Sequence, residues 1–411
     1  MKSCTYLLIG GGLAAHNAAK KIRELDAAGS IVMICQEPHR PYDRPPLTKG
    51  FMQGKTPAEK VFLSEPEFYA QHHIEMLAGV AVTALDTQRK TATLADGRGI
   101  AFDKALLAMG GRPTRLTIPG VELPGVLTMR TLDDAQAISA QAAPGRHAVI
   151  IGGGFIGMEL SASLTQRGAR ATILDSGPHI WSRFAGRELA DYFQTYARQR
   201  GVVFHNSVAI DEIRGDDRAQ SVAIQGGRDI PCDFVVVAAG IVPNVELAQQ
   251  AGLTVDNGVV VDERLRTSHA DLYAAGDLCN FYDPYAGRRR RVEHWGQADY
   301  TGALAGENMA GGQRNYDLLP YVFSDIFDLH LEFAGDEHQA QQTLLRGRYE
   351  DYAFAVLYLR DGVVSAFFSV NLKKKQFQPL QKLIEKRVDV RGKEKQLQDP
   401  AFDVLSLTAG A

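Results

Sequence analysis

Two glycine-rich segments of this chain combine residue types and a spacing that suit the binding of a pyrophosphate. They occupy residues 10–15 and 152–157, and both follow the pattern G-x-G-x-x-(A/G). The first glycine of this pattern permits a tight strand-to-helix turn, and the second lets backbone N–H groups approach phosphates closely. The last, small residue lets the following helix pack against the sheet, and the N-terminus of that helix attracts negative charge. The chemistry expected at both segments is therefore dinucleotide binding.

Each glycine segment lies inside the strand–helix–strand unit that such a turn requires. An apolar strand precedes it, a helix follows, and a second apolar strand leads to an acidic residue about 20 residues further on. The units comprise residues 6–9, 16–25, 31–34 and Glu37, and residues 148–151, 158–167, 171–174 and Asp175. Both carboxylates can accept hydrogen bonds from a ribose 2′-OH. One copy could be only a glycine-rich turn, but two complete units favour a flavin and a nicotinamide nucleotide on one chain.

The composition is that of an ordinary globular protein. The chain has 411 residues, of which 45% are apolar and 23% charged, and this length suits two or three domains. Its 45 basic and 48 acidic residues give a net charge of −3, which argues against a protein whose main function is to bind nucleic acid. No run of 18 or more apolar residues is present, so no membrane span is expected. The apolar residues 6–9 are too few for a signal peptide.

The four cysteines exclude several kinds of site. Cys4, Cys35, Cys232 and Cys279 form no C-x-x-C or C-x4-C pair. This spacing argues against a disulfide scaffold, an iron–sulfur cluster bound within the chain and a four-cysteine zinc site, and no metal site is expected. We expect the cysteines to be small packed residues of a protein in a reducing cytoplasm.

Five further segments are similar to segments of the two-dinucleotide flavoprotein oxidoreductases related to glutathione reductase. They are residues 41–49 (PYDRPPLTK), 106–113 (LLAMGGRP), 235–244 (VVVAAGIVPN), 267–277 (TSHADLYAAGD) and 292–298 (VEHWGQA). They most resemble the branch of ferredoxin reductases and apoptosis-inducing-factor-like proteins. The resemblance implies an α/β fold with two Rossmann-like dinucleotide-binding domains, as in glutathione reductase, and a smaller α+β C-terminal domain. It also implies FAD at the first glycine segment and NAD(P)H at the second.

The resemblance further implies a split FAD-binding domain into which the nicotinamide domain is inserted. We expect the FAD-binding domain at residues 1–116 and 245–315, the NAD(H)-binding domain at 117–244, and a C-terminal interface domain at 316–411. In the last domain, the runs 354–359 and 363–368 predict a hairpin because a turn sequence separates them. Residues 379–386 predict a helix.

Three residues are assigned to the reaction centre by the resemblance. In the family, the lysine equivalent to Lys49 lies near the flavin N5, the glutamate equivalent to Glu159 pairs with it, and the tryptophan equivalent to Trp295 lies beside the flavin and nicotinamide rings. Further FAD contacts are implied for Gly10, Gly12, Leu13, Ala14, Glu37, Arg44, Ala108, Arg112 and Asp277. Contacts to the nicotinamide nucleotide are implied for Gly152, Gly154, Phe155, Ile156, Glu159, Asp175, Arg183 and Gly240.

Each assignment has a simpler alternative. Lys49 and Arg44 could be solvated charges of a proline-stiffened loop, Glu159 an exposed helix residue, and Trp295 a core tryptophan. The chain also departs from the family pattern at Thr48 (usually Ser), Met109 (usually Thr) and Phe323 (more often Trp).

The choice between NADH and NADPH depends on the end of the second strand of the second unit. A 2′-phosphate needs an arginine there, whereas the carboxylate of Asp175 repels it. NADH is therefore favoured, and Arg183, a few residues further on, leaves NADPH open.

The route by which electrons leave follows from what the chain lacks. Residues 36–60 contain no cysteine, so thiol chemistry at the flavin is not expected. Electrons would instead pass singly to an acidic, ferredoxin-type protein with an iron–sulfur centre, which requires proximity and a tuned potential. Basic clusters that could attract such a partner are residues 288–291 and Lys373, Lys374, Lys375, Lys382, Lys386 and Arg387. Alternatively, these charges are simply solvated.

These observations favour an NADH-dependent, FAD-containing ferredoxin reductase of an oxygenase or P450 electron chain. One alternative is an apoptosis-inducing-factor-like NADH oxidoreductase with a stable complex of reduced flavin and NAD. Another is a redox-sensing binding protein that responds to NADH. The sequence leaves open the electron acceptor and whether the protein is a monomer or a homodimer.

Overall fold

The computed structural model describes residues 1–408. Its strands are β1 (Lys2–Ile9), β2 (Ile31–Cys35), β3 (Ile74–Ala78), β4 (Val82–Asp86), β5 (Thr91–Leu94), β6 (Gly99–Leu107), β7 (Gly111–Pro113), β8 (Val126–Thr128), β9 (His147–Ile151), β10 (Arg170–Leu174), β11 (Val202–His205), β12 (Ile210–Arg214), β13 (Ser221–Ile224), β14 (Arg228–Pro231), β15 (Phe234–Val237), β16 (Ile241–Pro243), β17 (Val259–Val260), β18 (Leu272–Ala274), β19 (Cys279–Asp283), β20 (Arg288–Arg290), β21 (Tyr321–Ile326), β22 (Leu329–Gly335), β23 (Gln342–Arg346), β24 (Phe354–Arg360) and β25 (Val363–Val370).

The α-helices are α1 (Leu13–Leu25), α2 (Pro45–Thr48), α3 (Phe68–Gln71), α4 (Leu132–Gln141), α5 (Phe155–Gln166), α6 (Arg187–Arg198), α7 (Glu246–Gln250), α8 (Trp295–Met309), α9 (Lys374–Glu385) and α10 (Glu394–Gln398). Short 3₁₀ helices occupy Ala58–Val61, Tyr349–Asp351 and Val404–Thr408. Within residues 1–408, no helix combines the length and the apolar character that crossing a bilayer requires.

The first of two compact units comprises Met1–Asp43, Val61–Arg112 and Pro243–Val322. Its seven-stranded sheet has the order β3-β2-β1-β6-β5-β4, and β18 pairs with the end of β6. The strands β1, β2, β3, β6 and β18 run parallel. Every residue of β2 is buried, which explains the continuous apolar run at this position, because the central strands of a parallel sheet are covered on both faces. Helix α1 packs against α8.

The second unit comprises Arg44–Lys60, Pro113–Val242 and the chain from Phe323 onward. It contains a five-stranded parallel sheet of order β11-β10-β9-β15-β8 and a small antiparallel sheet of β12, β13 and β14. Helix α5 packs on β9 and β10, and eight of its residues are buried. Both strand–helix–strand units predicted from the sequence are thus confirmed, one in each compact unit.

The C-terminal part of the second unit contains an antiparallel sheet of order β21-β22-β25-β24-β23. The predicted hairpin is confirmed as β24 and β25. The predicted helix at residues 379–386 is also present, but it begins earlier, at Lys374, so that Pro379 lies inside it. Proline is common in the first turn of a helix, so Pro379 is a misleading signal for the helix start.

The architecture is the expected α/β fold with two dinucleotide-binding sheets and a smaller C-terminal sheet. The segment Arg44–Lys60, which the sequence-based division assigns to the FAD-binding domain, packs within the second unit. The C-terminal sheet belongs to that unit as well. The division into three domains, at 1–116 with 245–315, 117–244 and 316–411, stays a proposal.

Candidate functional site

The first glycine segment forms an open cradle at the start of α1. Gly10 has a φ of +136°, and a Cβ at this position would lie 2.2 Å from the Ala108 carbonyl oxygen, so only glycine fits. Gly12 precedes the helix in an extended conformation, and no side chain caps the helix there. A Cβ on Gly12 would meet no protein atom within 4 Å. The cradle therefore fits a pyrophosphate, which needs close access to the helix N-terminus beside Leu13 and Ala14.

The carboxyl ends of four parallel strands of the first unit meet at this cradle. Gly10 follows β1, Glu37 follows β2, Ala108 follows β6, and Asp277 lies three residues after the end of β18. Ligands of such sheets bind outside the carboxyl ends of the strands. The Glu37 carboxylate accepts a hydrogen bond from the Tyr42 hydroxyl. The structure thus brings the expected FAD residues Gly10, Gly12, Leu13, Ala14, Glu37, Ala108 and Asp277 to one edge of one sheet.

The second glycine segment repeats this geometry at the start of α5. Gly152 has a φ of +112°, and a Cβ there would lie 2.4 Å from the Ala238 carbonyl oxygen. Gly154 precedes α5 without a side-chain cap, and no protein atom lies within 4 Å of a Cβ built on it. A second pyrophosphate fits this cradle, beside Phe155 and Ile156.

Asp175 anchors the loops around the second cradle. Its Oδ2 accepts a hydrogen bond of 2.6 Å from the Gly153 N–H, and its Oδ1 accepts one of 2.7 Å from the Gly177 N–H. The carboxylate is therefore fixed beside the glycine segment, and its contact with a ribose stays a prediction. Sequence reasoning missed Gly177, whose proximity to Asp175 in the chain was the available signal.

Lys49 and Glu159 form an ion pair within the second unit. The Lys49 Nζ lies 3.3 Å from Glu159 Oε1, and the hydroxyls of Thr48 and Ser324 donate hydrogen bonds to the two carboxylate oxygens. Glu159 is 5% exposed, so it is not the exposed helix residue of the simpler alternative. Burial raises the pKa of Glu159, and Lys49 and the two hydroxyls oppose this shift.

The short segment that carries Lys49 is fastened to α5. The Ser163 hydroxyl donates a hydrogen bond of 2.6 Å to the Thr48 carbonyl oxygen, and Gln53 donates one of 3.2 Å to the Ser163 hydroxyl. The Arg167 guanidinium donates to the Met52 carbonyl oxygen at 3.1 Å. The ammonium of Lys49 also lies 5.1 Å from the centroid of the Phe323 ring. Lys49 is therefore a positioned cation rather than a solvated one.

Trp295 is the first residue of α8 in the first unit. Its indole Nε1 donates a hydrogen bond of 2.7 Å to Asp43 Oδ1, and the side chain is partly buried. The preceding His294 accepts a hydrogen bond from the Gly296 N–H and thereby caps the helix, which is a structural role. Asp43 belongs to the proline-rich segment 41–49, so two of the segments noted in the sequence meet here.

Three expected site residues have other protein partners, and a fourth is exposed. The Arg44 guanidinium donates to the Arg130 carbonyl oxygen, and Arg112 pairs with Glu246 at 2.6 Å. Arg183 is exposed. The Gly240 carbonyl oxygen accepts a hydrogen bond from the Thr114 N–H. The nucleotide contacts expected of these four residues stay predictions.

Three of the four arginines at residues 288–291 form ion pairs or hydrogen bonds within the first unit. Arg290 pairs with the fully buried Asp283 at 2.8 Å, and Arg291 pairs with Glu293 at 2.6 Å. Arg289 donates hydrogen bonds to two backbone carbonyl oxygens. These contacts account for three of the four arginines, and the attraction of an acidic partner by the run stays a prediction. The pairing of Arg290 with Asp283 crosses the β19–β20 hairpin, which the sequence analysis does not predict.

The four cysteines are packed residues, as expected. Cys4, Cys35 and Cys279 are buried, and burial raises the pKa of each of these thiols to about 12. Burial likewise raises the pKa of Cys232 to about 11. The thiolate is the reactive form, so none of the four is poised for thiol chemistry near neutral pH.

Comparisons with known proteins agree with this geometry. Residues 5–302 match the family model described as pyridine nucleotide-disulphide oxidoreductase, and residues 321–408 match the model described as reductase C-terminal. A probable ferredoxin reductase of Castellaniella defragrans is 32% identical over 403 residues, 98% of each chain. The ferredoxin–NAD(+) reductase component of the anthranilate 1,2-dioxygenase system of Burkholderia cepacia is 34% identical, over 90% of this chain and 92% of that one.

Two solved structures extend the similarity to the fold. The chain matches the structure of the covalent putidaredoxin reductase–putidaredoxin complex with a TM-score of 0.95 and 28% identity, covering 100% of this chain and 99% of that one. It matches the ferredoxin reductase for the CYP199A2 system of Rhodopseudomonas palustris with a TM-score of 0.93 and 30% identity, covering 98% and 100%. With two dinucleotide cradles and a match over 5–302, the chain belongs to the pyridine nucleotide-disulphide oxidoreductase family, whose members are FAD- and NAD(P)-binding oxidoreductases.

Proposed function

We propose that the protein is an NADH-dependent ferredoxin reductase that passes electrons from NADH through FAD to an iron–sulfur protein of an oxygenase or P450 system. The observation that carries this proposal is the coexistence of two dinucleotide cradles with four unreactive thiols. Such a chain can take a hydride from a nicotinamide, but it has no dithiol through which to pass the electrons on. The names of two relatives, a probable ferredoxin reductase and the ferredoxin–NAD(+) reductase component of a dioxygenase system, support the same acceptor class.

The chain's own residues would act on the reaction in three ways. Bound FAD supplies the chemistry that converts one hydride into two single electrons. Lys49 contributes a fixed cation that Glu159 holds in place, and the hydroxyls of Thr48 and Ser324 keep that carboxylate hydrogen-bonded. Trp295, anchored by Asp43, offers an aromatic face of fixed orientation. Because the acceptor takes only electrons, no residue has to protonate a substrate.

The proposed preference for NADH rests on Asp175. Replacement Asp175→Ala removes the carboxylate that would bond the ribose and repel a 2′-phosphate. We expect the KM for NADH to rise on the order of tenfold, which matches the loss of one hydrogen bond to a charged group, while the KM for NADPH rises less or falls. Steady-state kinetics with both nucleotides checks this result. Equal losses would show that Asp175 acts only through the loop contacts with Gly153 and Gly177.

The partner is proposed to be an acidic ferredoxin, and Lys374 and Lys375 are candidates for contacting it. Both are exposed and occupy the first turn of α9, where the helix dipole disfavours positive charge. Their charge therefore does not serve the helix. We expect Lys374→Glu with Lys375→Glu to raise the melting temperature slightly, because each charge reversal favours the helix by about 0.3–1 kcal/mol.

The same double variant should raise the KM for the ferredoxin severalfold and weaken the dependence of its reduction on salt. Lys55→Glu, an exposed charge reversal elsewhere in the second unit, is the control. An unchanged KM for the ferredoxin would contradict this role for α9.

The experiment that tests the proposed function is NADH-driven reduction of a panel of [2Fe–2S] ferredoxins, rubredoxins and quinones by the FAD-loaded protein. Rapid reduction of a [2Fe–2S] ferredoxin that slows with added salt is expected. If no iron–sulfur protein is reduced while the protein forms a long-lived complex with NAD, it belongs instead with the apoptosis-inducing-factor-like oxidoreductases. We propose a cytoplasmic location, because four free thiols suit a reducing compartment. A measurement of the mass of the holoprotein in solution would distinguish a monomer from a homodimer.

A further inference from the structure

A row of alternating charges runs from the buried Glu159 toward the surface of the second unit. The Lys49 Nζ lies 3.3 Å from Glu159 Oε1 and 3.4 Å from Asp325 Oδ2. The other oxygen of Asp325, Oδ1, lies 2.7 Å from His330 Nδ1. The His330 Nε2 in turn lies 3.3 Å from Glu332 Oε1. Each group is thus in direct contact with one of opposite charge, provided that His330 is protonated.

Exposure increases from Glu159 to His330 and falls again at Glu332, whose side chain is 16% exposed. The side chains of Glu159 and Lys49 are 7% and 15% exposed, whereas those of Asp325 and His330 are 45% and 46% exposed. The charges of Glu159 and Lys49 interact strongly because little water screens them, and the half-exposed imidazole of His330 exchanges protons with solvent. The row therefore connects a group that senses pH to a pair that solvent reaches poorly.

Lys49 interacts with two carboxylates, those of Glu159 and Asp325, and the protonation state of His330 determines which interaction is stronger. When His330 is protonated, it neutralises Asp325, and the Lys49 charge is left mainly to Glu159. When His330 is neutral, Asp325 competes for Lys49. A change of charge at the surface is therefore felt at the buried pair without any movement of the backbone.

The surroundings keep His330 charged at neutral pH. Hydrogen bonds to Asp325 and Glu332 raise the pKa of His330 to about 9 against the effect of burial, and the bond to His330 lowers the pKa of Asp325. On β25 and just after it, the neighbours Ser369 and Asn371 carry no charge, and Asn371 accepts a hydrogen bond from the His330 N–H. Helix α9, which also packs against β22, carries Lys374, Lys375, Lys382 and Glu385.

We propose that Asp325 and His330 are positioning residues of the reaction centre, which hold the Lys49 ammonium between two carboxylates and transmit surface protonation to it. This inference rests on the proposed function, in which Lys49 contributes a fixed cation to the reaction of bound FAD and Glu159 holds it in place. It predicts that protonation of His330 and the redox potential of bound FAD are linked, because coupling between two sites is reciprocal.

The coupling itself can be measured without any turnover. In FAD-loaded protein, the His330 imidazole is titrated by NMR, and its signal is assigned by its loss in His330→Gln. Lys49→Met removes a cation next to Asp325, so we expect it to raise the His330 pKa by on the order of half a unit. Lys55→Met, an exposed lysine of the same segment Arg44–Lys60, should leave that pKa unchanged. Equal values in the two variants would overturn the inference.

If Lys49→Met does not fold, Asp325→Asn provides an independent test of the coupling through the His330 pKa. It removes the main partner of His330, so the His330 pKa should fall by about one unit or more. A His330 pKa that stays near 9 in this variant would show that Asp325 does not set it.

The effect on the reaction centre is read from the pH dependence of the FAD potential, measured by reductive titration with dithionite. The wild-type curve should change slope near pH 9, and His330→Gln should abolish that change. His330→Lys, which keeps the positive charge, should retain the wild-type potential below about pH 8. His338→Gln, an exposed histidine in the turn after β22, is the control. A wild-type curve in His330→Gln would refute the inference.

These readouts separate the inference from the function on which it rests. Neither the NMR titration nor the dithionite titration uses NADH or a ferredoxin. A protein that fails to reduce any ferredoxin therefore contradicts the proposed function, while the coupling is judged by the titrations. Conversely, ferredoxin reduction with uncoupled titrations would overturn the roles of Asp325 and His330 alone.

Discussion

We expect Gly12→Ala to give a folded protein that has lost most of its affinity for FAD. Gly12 has a φ of −96°, a conformation that alanine adopts without strain, and its Cβ would enter space that contains no protein atom within 4 Å. The change should therefore cost no more than about 1 kcal/mol of folding stability. The same space must hold the pyrophosphate, so we expect FAD to bind on the order of 100-fold more weakly, or ~2.7 kcal/mol.

Two matched alanine substitutions control this experiment, since both replace glycines that precede a helix without a side-chain cap. Gly186 precedes α6 with a φ of −66° and has equally open surroundings, but no nucleotide is expected there. Gly186→Ala should leave FAD and NADH binding unchanged. Gly154→Ala should weaken NADH and retain FAD. The measurements are the yellow flavin absorbance per protein, the dissociation constants of both nucleotides and the unfolding midpoint.

The outcome distinguishes a ligand site from a tight turn. If Gly12→Ala retains FAD, the first cradle does not hold its pyrophosphate, and the assignment of FAD to this unit is wrong. If Gly12→Ala and Gly186→Ala destabilise the fold very differently, the loss of FAD would reflect folding. Gly10→Ala would not make this distinction, because its Cβ would collide with the Ala108 carbonyl oxygen.

The dinucleotide units could be predicted from the sequence because their determinants are local. A turn glycine such as Gly152, an apolar strand and an acid about 20 residues further on are all set by the geometry of one strand–helix–strand unit. The structure places β9, α5 and β10 within one to three residues of the expected bounds. The hairpin of β24 and β25 was equally accessible, since its turn sequence lies between two apolar runs.

Features that depend on contacts formed only in the folded structure could not be predicted. The role of Arg290 is set by Asp283, which is reached only through the turn between β19 and β20. The hydroxyl of Ser324 reaches Glu159 from a sequence separation of 165 residues. Neither contact follows from a fixed separation of the two residues in the sequence. The resemblance did point to the pairing of Lys49 with Glu159, but not to Asp325, which shares Lys49 with it.

Because Lys49 also contacts Asp325, the two partners of the Lys49–Glu159 ion pair are not equivalent. We therefore expect substitutions of Lys49 and Glu159 to lower the stability by different amounts. Lys49→Met leaves the buried Glu159 carboxylate with two hydroxyls, which carry no charge. Removing one partner of a buried pair costs about 3–5 kcal/mol, and part of this cost is avoided here if the carboxyl takes up a proton. In Glu159→Gln, by contrast, Lys49 keeps Asp325 at 3.4 Å, so we expect a smaller loss of stability.

The double variant Lys49→Met/Glu159→Gln separates stability from catalysis. It leaves no buried charge unpaired, so its unfolding free energy should return toward the wild-type value. Catalysis should not return with it, because the fixed cation is missing. We expect NADH to reduce the flavin about 100-fold more slowly in both Lys49→Met and the double variant, the usual effect of losing one electrostatic stabiliser.

Stopped-flow reduction of the flavin and chemical denaturation of the same FAD-loaded samples provide the two measurements. If the double variant regains the wild-type rate together with its stability, Lys49 is needed only to compensate Glu159, and the cation has no part in the reaction. If Glu159→Gln alone lowers the rate as much as Lys49→Met, the carboxylate must hold Lys49 in the productive position. In that case Asp325, the competing carboxylate, should draw Lys49 away, and Glu159→Gln with Asp325→Asn should recover part of the rate.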